Sequence, residues 1–292
     1  MFLFGAGASF GSEPHPSWEP PPLGGGLFAR LKKRRNSLAS TLPAELQKAF
    51  ELNFEDGMRA FTESEFRTLR QRFQRELAAF LSEFWPRPTN LYVRLLRSIG
   101  SNIADYSFAT LNYDILLERS ARHVSSQAVE ALKYRSYHLH GSVRCLPDVN
   151  ISGGNISGNF LDAIVPIRCT LDEAEIRAYF RGDNPLAPAI AVYAKGKLVP
   201  TAPDHVADMQ REWLVELRQT DHVVIVGTKF VPDDVHIWNN LGRATARVTY
   251  VAYDEGEAEP VREWSRLFGR SKDSIIVGSF QARFKDILAA ST

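Results

Sequence analysis

The sequence predicts an α/β protein: a Rossmann-like parallel sheet with helices on both faces, plus a helical and irregular insertion. Three observations predict it. Strand-like and helix-like segments alternate regularly over the last third of the chain. Strands such as Val223-Val224-Ile225-Val226 are near-continuous apolar runs, the pattern of strands covered on both faces. Finally, Gly5-Ala6-Gly7-Ala8-Ser9, Thr110-Leu111-Asn112-Tyr113-Asp114 and His138-Leu139-His140-Gly141-Ser142 each follow a strand-like run. That placement would gather all three at the carboxyl edge of one sheet, where open α/β folds bind ligands.

The elements follow in order. Phe2-Leu3-Phe4 is a short first strand running into a glycine-rich turn at Gly5. Residues 12–26 hold Pro14, Pro16, Pro20, Pro21, Pro22 and Gly24-Gly25-Gly26, and read as a loop over the site, since neither a helix nor a central strand tolerates such a run. From Phe66, apolar residues at Leu69, Phe73, Leu77, Phe80, Leu81 and Phe84 recur at helical spacing until Pro86 and Pro88 stop them. A further helix is expected around Tyr92, Leu95, Leu96 and Ile99, so residues 24–100 read as a helical segment. A strand at 106–111, a helix at 114–123 and a strand at 134–139 form the next unit.

Residues 143–168 contain Gly153-Gly154-Asn155 and Ser157-Gly158-Asn159 and read as a partly irregular insert. Thr170 with Glu173 reads as a capping box for a helix to Phe180, followed by an apolar strand at 189–193. Asp204 opens a helix with Val206, Met209, Trp213 and Leu217 on one face. Strands at 222–226, 248–253 and 274–277 then alternate with helices at 233–241, 257–268 and 281–289. No internal repeat is visible, and residues 1–292 read as a single domain with an insertion over 143–200.

A chain of 292 residues, 44% hydrophobic and 24% charged, can bury a full core. No apolar run approaches the ~20 residues that span a bilayer, and Met1-Phe2-Leu3-Phe4 is too short and uncharged for a secretory signal. A cytoplasmic location is therefore expected, with no membrane partner. Cys145 and Cys169 lack Cys-x-x-Cys spacing and are expected to be buried or idle thiols, neither a zinc ribbon nor a disulfide framework. Net charge is +1 but unevenly spread: residues 24–100 carry 14 Lys/Arg against 8 Asp/Glu, and residues 201–264 carry 6 against 12. The run Lys32-Lys33-Arg34-Arg35 is ordinarily a solvated face, so direct nucleic-acid contact is not expected. Opposite patches suit a subunit interface.

The residue types in the motifs suggest their chemistry. Gly5 to Ser9 gives a backbone that can approach a ligand closely and, where a helix follows, offers amides to phosphate. It is a poor dehydrogenase fingerprint, because Gly11 comes one residue too late for Gly-x-Gly-x-x-Gly. The alternative is a tight turn packed against a helix. Asn112 and Asp114 lie just past a strand end, where capping of the next helix is the competing role. His138 and His140 share a strand face by the period of two, so spacing does not choose between them. Gly141 favours His140, since a glycine there lets a ligand or loop pass the imidazole.

Taken in order, these motifs resemble the Sir2 (sirtuin) family, specifically the divergent SIR2-like branch found in bacterial anti-phage defence proteins. Gly5-Ala6-Gly7-Ala8-Ser9 corresponds to the phosphate loop, Thr110-x-Asn112-Tyr113-Asp114 to the Thr-x-Asn-x-Asp motif, and His140-Gly141 to the His-Gly. Val226-Gly227-Thr228 followed by Asp233-Asp234 resembles the downstream Gly-Thr/Tyr-Ser segment, with Lys229 in place of the serine. The anchors span residues 1 to 254. The four-cysteine zinc module of the protein-deacylating members is absent, residues 143–200 standing in its place, and so is their Arg-containing loop.

The resemblance implies an NAD+ hydrolase (NADase) that releases nicotinamide and ADP-ribose to water, with NAD+ as substrate and no metal. Asn112 would orient the ribose and water, His140 would accept a proton, and Asp114 would contact the nicotinamide amide. Gly5, Ala6, Gly7, Ala8, Ser9, Gly227 and Thr228 would hold the diphosphate and adenosine side, with Asp254 on the adenosine ribose, and Thr110 would also contact the NAD+. The alternatives are an NAD- or ADP-ribose-binding regulatory module, and a deacylase or ADP-ribosyltransferase. A hydrolase that depletes NAD calls for control by assembly, so a homo-oligomer and a separate ATPase/helicase or Argonaute-like partner are expected.

Overall fold

The computed structural model describes residues 1–14, 18–63, 65–149, 165–191 and 201–291. Its strands are β1 (Phe2–Phe4), β2 (Phe108–Thr110), β3 (Ser136–His138), β4 (Cys145–Pro147), β5 (Ile167–Cys169), β6 (His222–Val226), β7 (Arg247–Ala252) and β8 (Ser274–Val277). Six of them form one parallel sheet in the order β3-β2-β1-β6-β7-β8, while β4 and β5 pair antiparallel. The fold class is thus the α/β, Rossmann-like one.

The sheet order locates the site. From β1 the chain builds outward through β2 and β3 on one side, and through β6, β7 and β8 on the other. The topological switch point lies between β1 and β6, and open α/β sheets bind their ligands outside the carboxyl ends of the strands at such a point. Phe4 at the end of β1 sits opposite both Thr110 and Val226, and Thr110 sits opposite His138. The segments that follow β1, β2, β3 and β6 therefore leave from one edge.

Side chains alternate across the strands with a period of two. Phe2, Phe4, Phe108, Val224 and Val226 enter the core on one face, and Leu3, Ala109, Val223 and Ile225 enter the core on the other. Both faces are covered, so the strands have no polar side to show.

The helices are α1 (Ala6–Phe10), α2 (Gly24–Lys32), α3 (Ala44–Leu52), α4 (Phe54–Glu63), α5 (Arg70–Leu81), α6 (Leu91–Ile99), α7 (Leu116–Ala121), α8 (Ser126–Arg135), α9 (Glu173–Arg181), α10 (Pro203–Gln219), α11 (Val235–Arg243), α12 (Glu255–Leu267) and α13 (Phe284–Ser291). Among α2 to α5 the packing is aromatic: Phe50 stacks on Phe28 at 4.7 Å between ring centroids and meets Phe73 at 5.1 Å.

Several expectations are corrected. Gly24-Gly25-Gly26 does not lie in a loop but opens α2. A first turn needs no intrahelical acceptor for its N–H groups, and the buried Leu27, Phe28 and Leu31 hold the helix against the core. Helices α3 and α4 lie within the helical segment expected over 24–100 but were not placed individually, and α8 was not expected. The α9 cap is Asp172, whose carboxylate accepts from the N–H groups of Ala174 and Glu175; Thr170 Oγ1 instead accepts from the N–H of Asp172. The strand expected over 189–193 is, in its described part, an isolated bridge between Ile190 and Gly141. The Gly/Asn-rich stretch at 153–159 lies outside the described residues.

The cysteines are not idle thiols. Cys145 and Cys169 face each other as register partners across β4 and β5, and a disulfide joins them. Their separation of 24 residues hid this, because only the antiparallel pairing brings them opposite. Such bonds persist in oxidising surroundings and are rare in the cytosol. Among the described residues, no helix is long and apolar enough to cross a membrane.

Candidate functional site

The turn after β1 meets the turn after β6 at the switch point. The N–H of Gly7 donates to the carbonyl of Gly227 at 2.8 Å, and that of Gly5 to the carbonyl of Val226 at 3.0 Å. Gly227 has φ +65°, and a Cβ there would lie 1.9 Å from the nitrogen of Ala8; a Cβ on Gly5 would lie 2.5 Å from the carbonyl oxygen of Gly227. These glycines let two backbones touch. The same contacts use up amides expected to bind phosphate, since the N–H of Ala8 also donates, to the carbonyl of Gly5. The tight-turn role of the glycines is what the geometry displays.

Ser9, in α1, ties this turn to the segment after β2. Its Oγ accepts from Asn112 Nδ2 at 3.0 Å and donates to Asp114 Oδ1 at 3.2 Å, with the Tyr92 hydroxyl also 3.2 Å away. Asn112 Nδ2 donates in addition to the carbonyl of Gly5 at 3.0 Å. Both amide protons are therefore engaged, and no described residue donates to Oδ1. Thr110 Oγ1 accepts from the N–H of Asn112 and shapes the turn. Asp114 Oδ1 also accepts from the N–H of Leu116, the first residue of α7, whose N-cap is Ile115. Burial raises the Asp114 carboxyl above its usual range, opposed by the Leu116 amide and the Ser9 hydroxyl. In the turn after β6, Thr228 packs against Gly5 and is 4% exposed, and its Oγ1 has no hydrogen-bond partner among the described residues, although its carbonyl accepts from the Tyr250 hydroxyl.

The two histidines part company. His138 ends β3 and points to Glu118 of α7, with Nε2 2.6 Å from the carboxylate, both side chains buried. Burial by itself would raise the Glu118 carboxyl, but the adjacent His138 and then Arg144 bring it down to about 2. His140 lies past the strand, where its carbonyl accepts from the N–H of Ala191. Gly141, at φ +84°, passes so close to Ala189 that a Cβ would sit 2.0 Å from that carbonyl oxygen. What the glycine lets past the imidazole is thus a loop. His140 Nε2 reaches His236 Nε2 of α11 at 3.1 Å, with Asp234 beside them.

The structure therefore brings Gly5 to Ser9, Thr110, Asn112, Asp114, Gly227 and Thr228 together at the switch point, and sets His140 against the segment following β6. Asp254 stands apart: exposed at the end of β7, its carboxylate accepts from the N–H of Glu257 and caps α12. The reading from sequence missed Glu118 and His236, and it named Asp234 in the Asp233-Asp234 pair without giving it a role. The last two carried a signal, an Asp-x-His pair opening a helix just after the Gly227 turn. Two clefts, of about 620 and 840 Å³, lie at the opposite, amino-terminal edge; Val248 and Ser274 line one, Met1 and His222 the other.

No model of a known protein family matches this chain, and no curated protein matches it. Among solved structures it is similar to a mutant Sir2 homologue in complex with ADP-ribose, at 16% identity, over 99% of this chain and 89% of that one, with a TM-score of 0.45.

Proposed function

We propose that this chain is an NAD+ glycohydrolase that cleaves the bond between nicotinamide and ribose, releasing nicotinamide and ADP-ribose. The observation that carries the reading is the joining of Ser9, Asn112 and Asp114 by hydrogen bonds beside the switch point, the place where open α/β sheets bind ligands. Beside it, the Thr228 hydroxyl is buried with no partner among the described residues, a group suited to a ligand oxygen.

The chemistry asks little acid catalysis of the protein. The C1′–N bond breaks with its electron pair going to the pyridinium nitrogen, so nicotinamide leaves neutral, and the charge to be stabilised lies on an oxocarbenium-like ribose. Water then adds at C1′ and surrenders a proton. Asn112 Oδ1 would accept from a ribose hydroxyl and hold the sugar in line with the water. His140 would take the proton, and Asp114 would face the carboxamide. The Gly5–Ser9 and Gly227–Thr228 turns would lie along the diphosphate and adenosine, with Asp254 at the adenosine ribose. A cell holding such an activity needs it controlled, which is consistent with an anti-phage effector that assembles as a homo-oligomer with a separate ATPase/helicase or Argonaute-like protein.

A second reading, binding of NAD or ADP-ribose without turnover, is favoured by one observation: His140 Nε2 is already engaged by His236. One experiment separates the two. Chromatographic assay of nicotinamide from the purified chain and from its assembled form, beside calorimetric titration with NAD+ and ADP-ribose, is expected to give turnover. Binding without nicotinamide release would establish the second reading, and neither binding nor release would remove both.

A further inference from the structure

The His140–His236 contact closes over the sheet edge. His140 follows β3 and His236 follows β6, and β2 and β1 lie between those strands, a span of roughly 14 Å at ~4.8 Å per strand. Two imidazole nitrogens nevertheless meet at 3.1 Å, their ring planes inclined by 48°. Asp234 is buried alongside, and the ligating atoms of all three residues lie within 4.8 Å of one another. An Asp at a helix N-cap ordinarily accepts a hydrogen bond from the first turn. Asp234 holds that position in α11, yet its side chain makes no capping bond; its carboxylate lies with the imidazoles instead.

We infer that His140, Asp234 and His236 form a site for one divalent transition-metal ion of the zinc class. Two nitrogens bound to one ion at ~2.0–2.1 Å each stand roughly 2.9–3.4 Å apart in octahedral or tetrahedral geometry, and the observed 3.1 Å falls inside that interval. Two imidazoles with one carboxylate select zinc, cobalt or nickel over magnesium or calcium, which favour all-oxygen shells. Without an ion, one imidazole donates its N–H to the other; the ion takes the place of that proton. A second cluster, Cys145, Cys169 and His205, has His205 Nε2 3.3 Å from Cys169 Sγ, but its two sulfurs are bonded to each other and so are not thiolate ligands. Resting on the proposed hydrolysis, metal occupancy would remove the lone pair of His140 from proton transfer, making zinc an inhibitor.

The test is direct binding, independent of turnover. The full chain, stripped with EDTA and kept in non-reducing buffer, is titrated with ZnCl2 by calorimetry and with CoCl2 by visible absorption. One ion per chain is expected, with cobalt d–d bands marking the coordination. His236→Gln, at a half-buried position, and Asp234→Asn are each expected to weaken binding more than tenfold while melting like the wild type in EDTA. His205→Gln is expected to leave binding unchanged. No stoichiometric binding by the wild type, unaltered affinity in His236→Gln, or loss in His205→Gln would each overturn the assignment. If ZnCl2 binds as described but no nicotinamide is ever released, the metal site stands and the hydrolase reading fails.

Discussion

His138 Nε2 lies 2.6 Å from a Glu118 carboxylate oxygen, and both side chains are buried. This pair decides which histidine of the motif is structural. We expect His138→Ala to cost about 3–5 kcal/mol, because removing one partner leaves the other's charge buried and uncompensated. His140→Ala should leave the denaturation midpoint nearly unchanged and abolish nicotinamide release. Urea unfolding beside the release assay checks both, and the reverse pattern would reassign the roles. The pH dependence has a definite sign. The Glu118 carboxyl is held down to about 2, against an ordinary 4.5. Its contribution to stability is therefore full above about pH 4.5 and is lost as pH falls toward 2, measurable as a falling denaturation midpoint that His138→Ala flattens.

Asn112→Ala should lower nicotinamide release at least ~100-fold, since an amide that positions ribose acts mainly on the transition state. The structure adds a cost: Nδ2 holds both Gly5 and Ser9, so stability should fall by about 1–3 kcal/mol. Ser9→Ala separates the two effects. It removes a tether and keeps the Asn112 side chain, so a loss of turnover much smaller than that of Asn112→Ala is expected in single-turnover assays.

Gly227→Ala should destabilise the protein by more than ~2 kcal/mol, whatever the ligand. Its φ of +65° strains any L side chain, and the added Cβ would sit 1.9 Å from the backbone of Ala8. Thermal melting without NAD is the measurement. An unchanged midpoint would mean that the two turns do not touch as described.

The Cys145–Cys169 bond closes a 24-residue separation, and in the chain-entropy view a loop of that size contributes roughly 3.5 kcal/mol. Thiol titration of the unfolded chain should find no free sulfhydryl before reduction and two afterwards. The double variant Cys145→Ser/Cys169→Ser should unfold at lower denaturant. Two titratable thiols in unreduced protein would contradict the pairing.

The excess of 14 basic over 8 acidic residues in 24–100, and of 12 acidic over 6 basic in 201–264, supports the proposed homo-oligomer. Charge complementarity acts mainly on association rate, so added salt should slow assembly before it abolishes it. Sedimentation at micromolar concentration checks this. A monomer with full, unregulated NAD hydrolysis would remove the proposal.

Local pattern by itself determined the parallel sheet and the edge on which its motifs gather. Apolar runs such as Val223 to Val226 need no partner to declare a strand covered on both faces, and a turn following a parallel strand has only one edge to leave from. Periodicity likewise marked α5 and α6, whereas α3 and α8 were not placed from sequence. Only the tertiary structure decided which polar groups remain for chemistry. His138 and His140 are equivalent by spacing and differ because α7 brings Glu118 to one and α11 brings His236 to the other. Gly5 and Gly227, 222 residues apart in sequence, exclude side chains because their backbones touch. Cys145 found Cys169 through antiparallel pairing across an insertion. Each of these outcomes rests on a contact between residues distant in sequence, and such contacts leave no trace in the spacing of either partner.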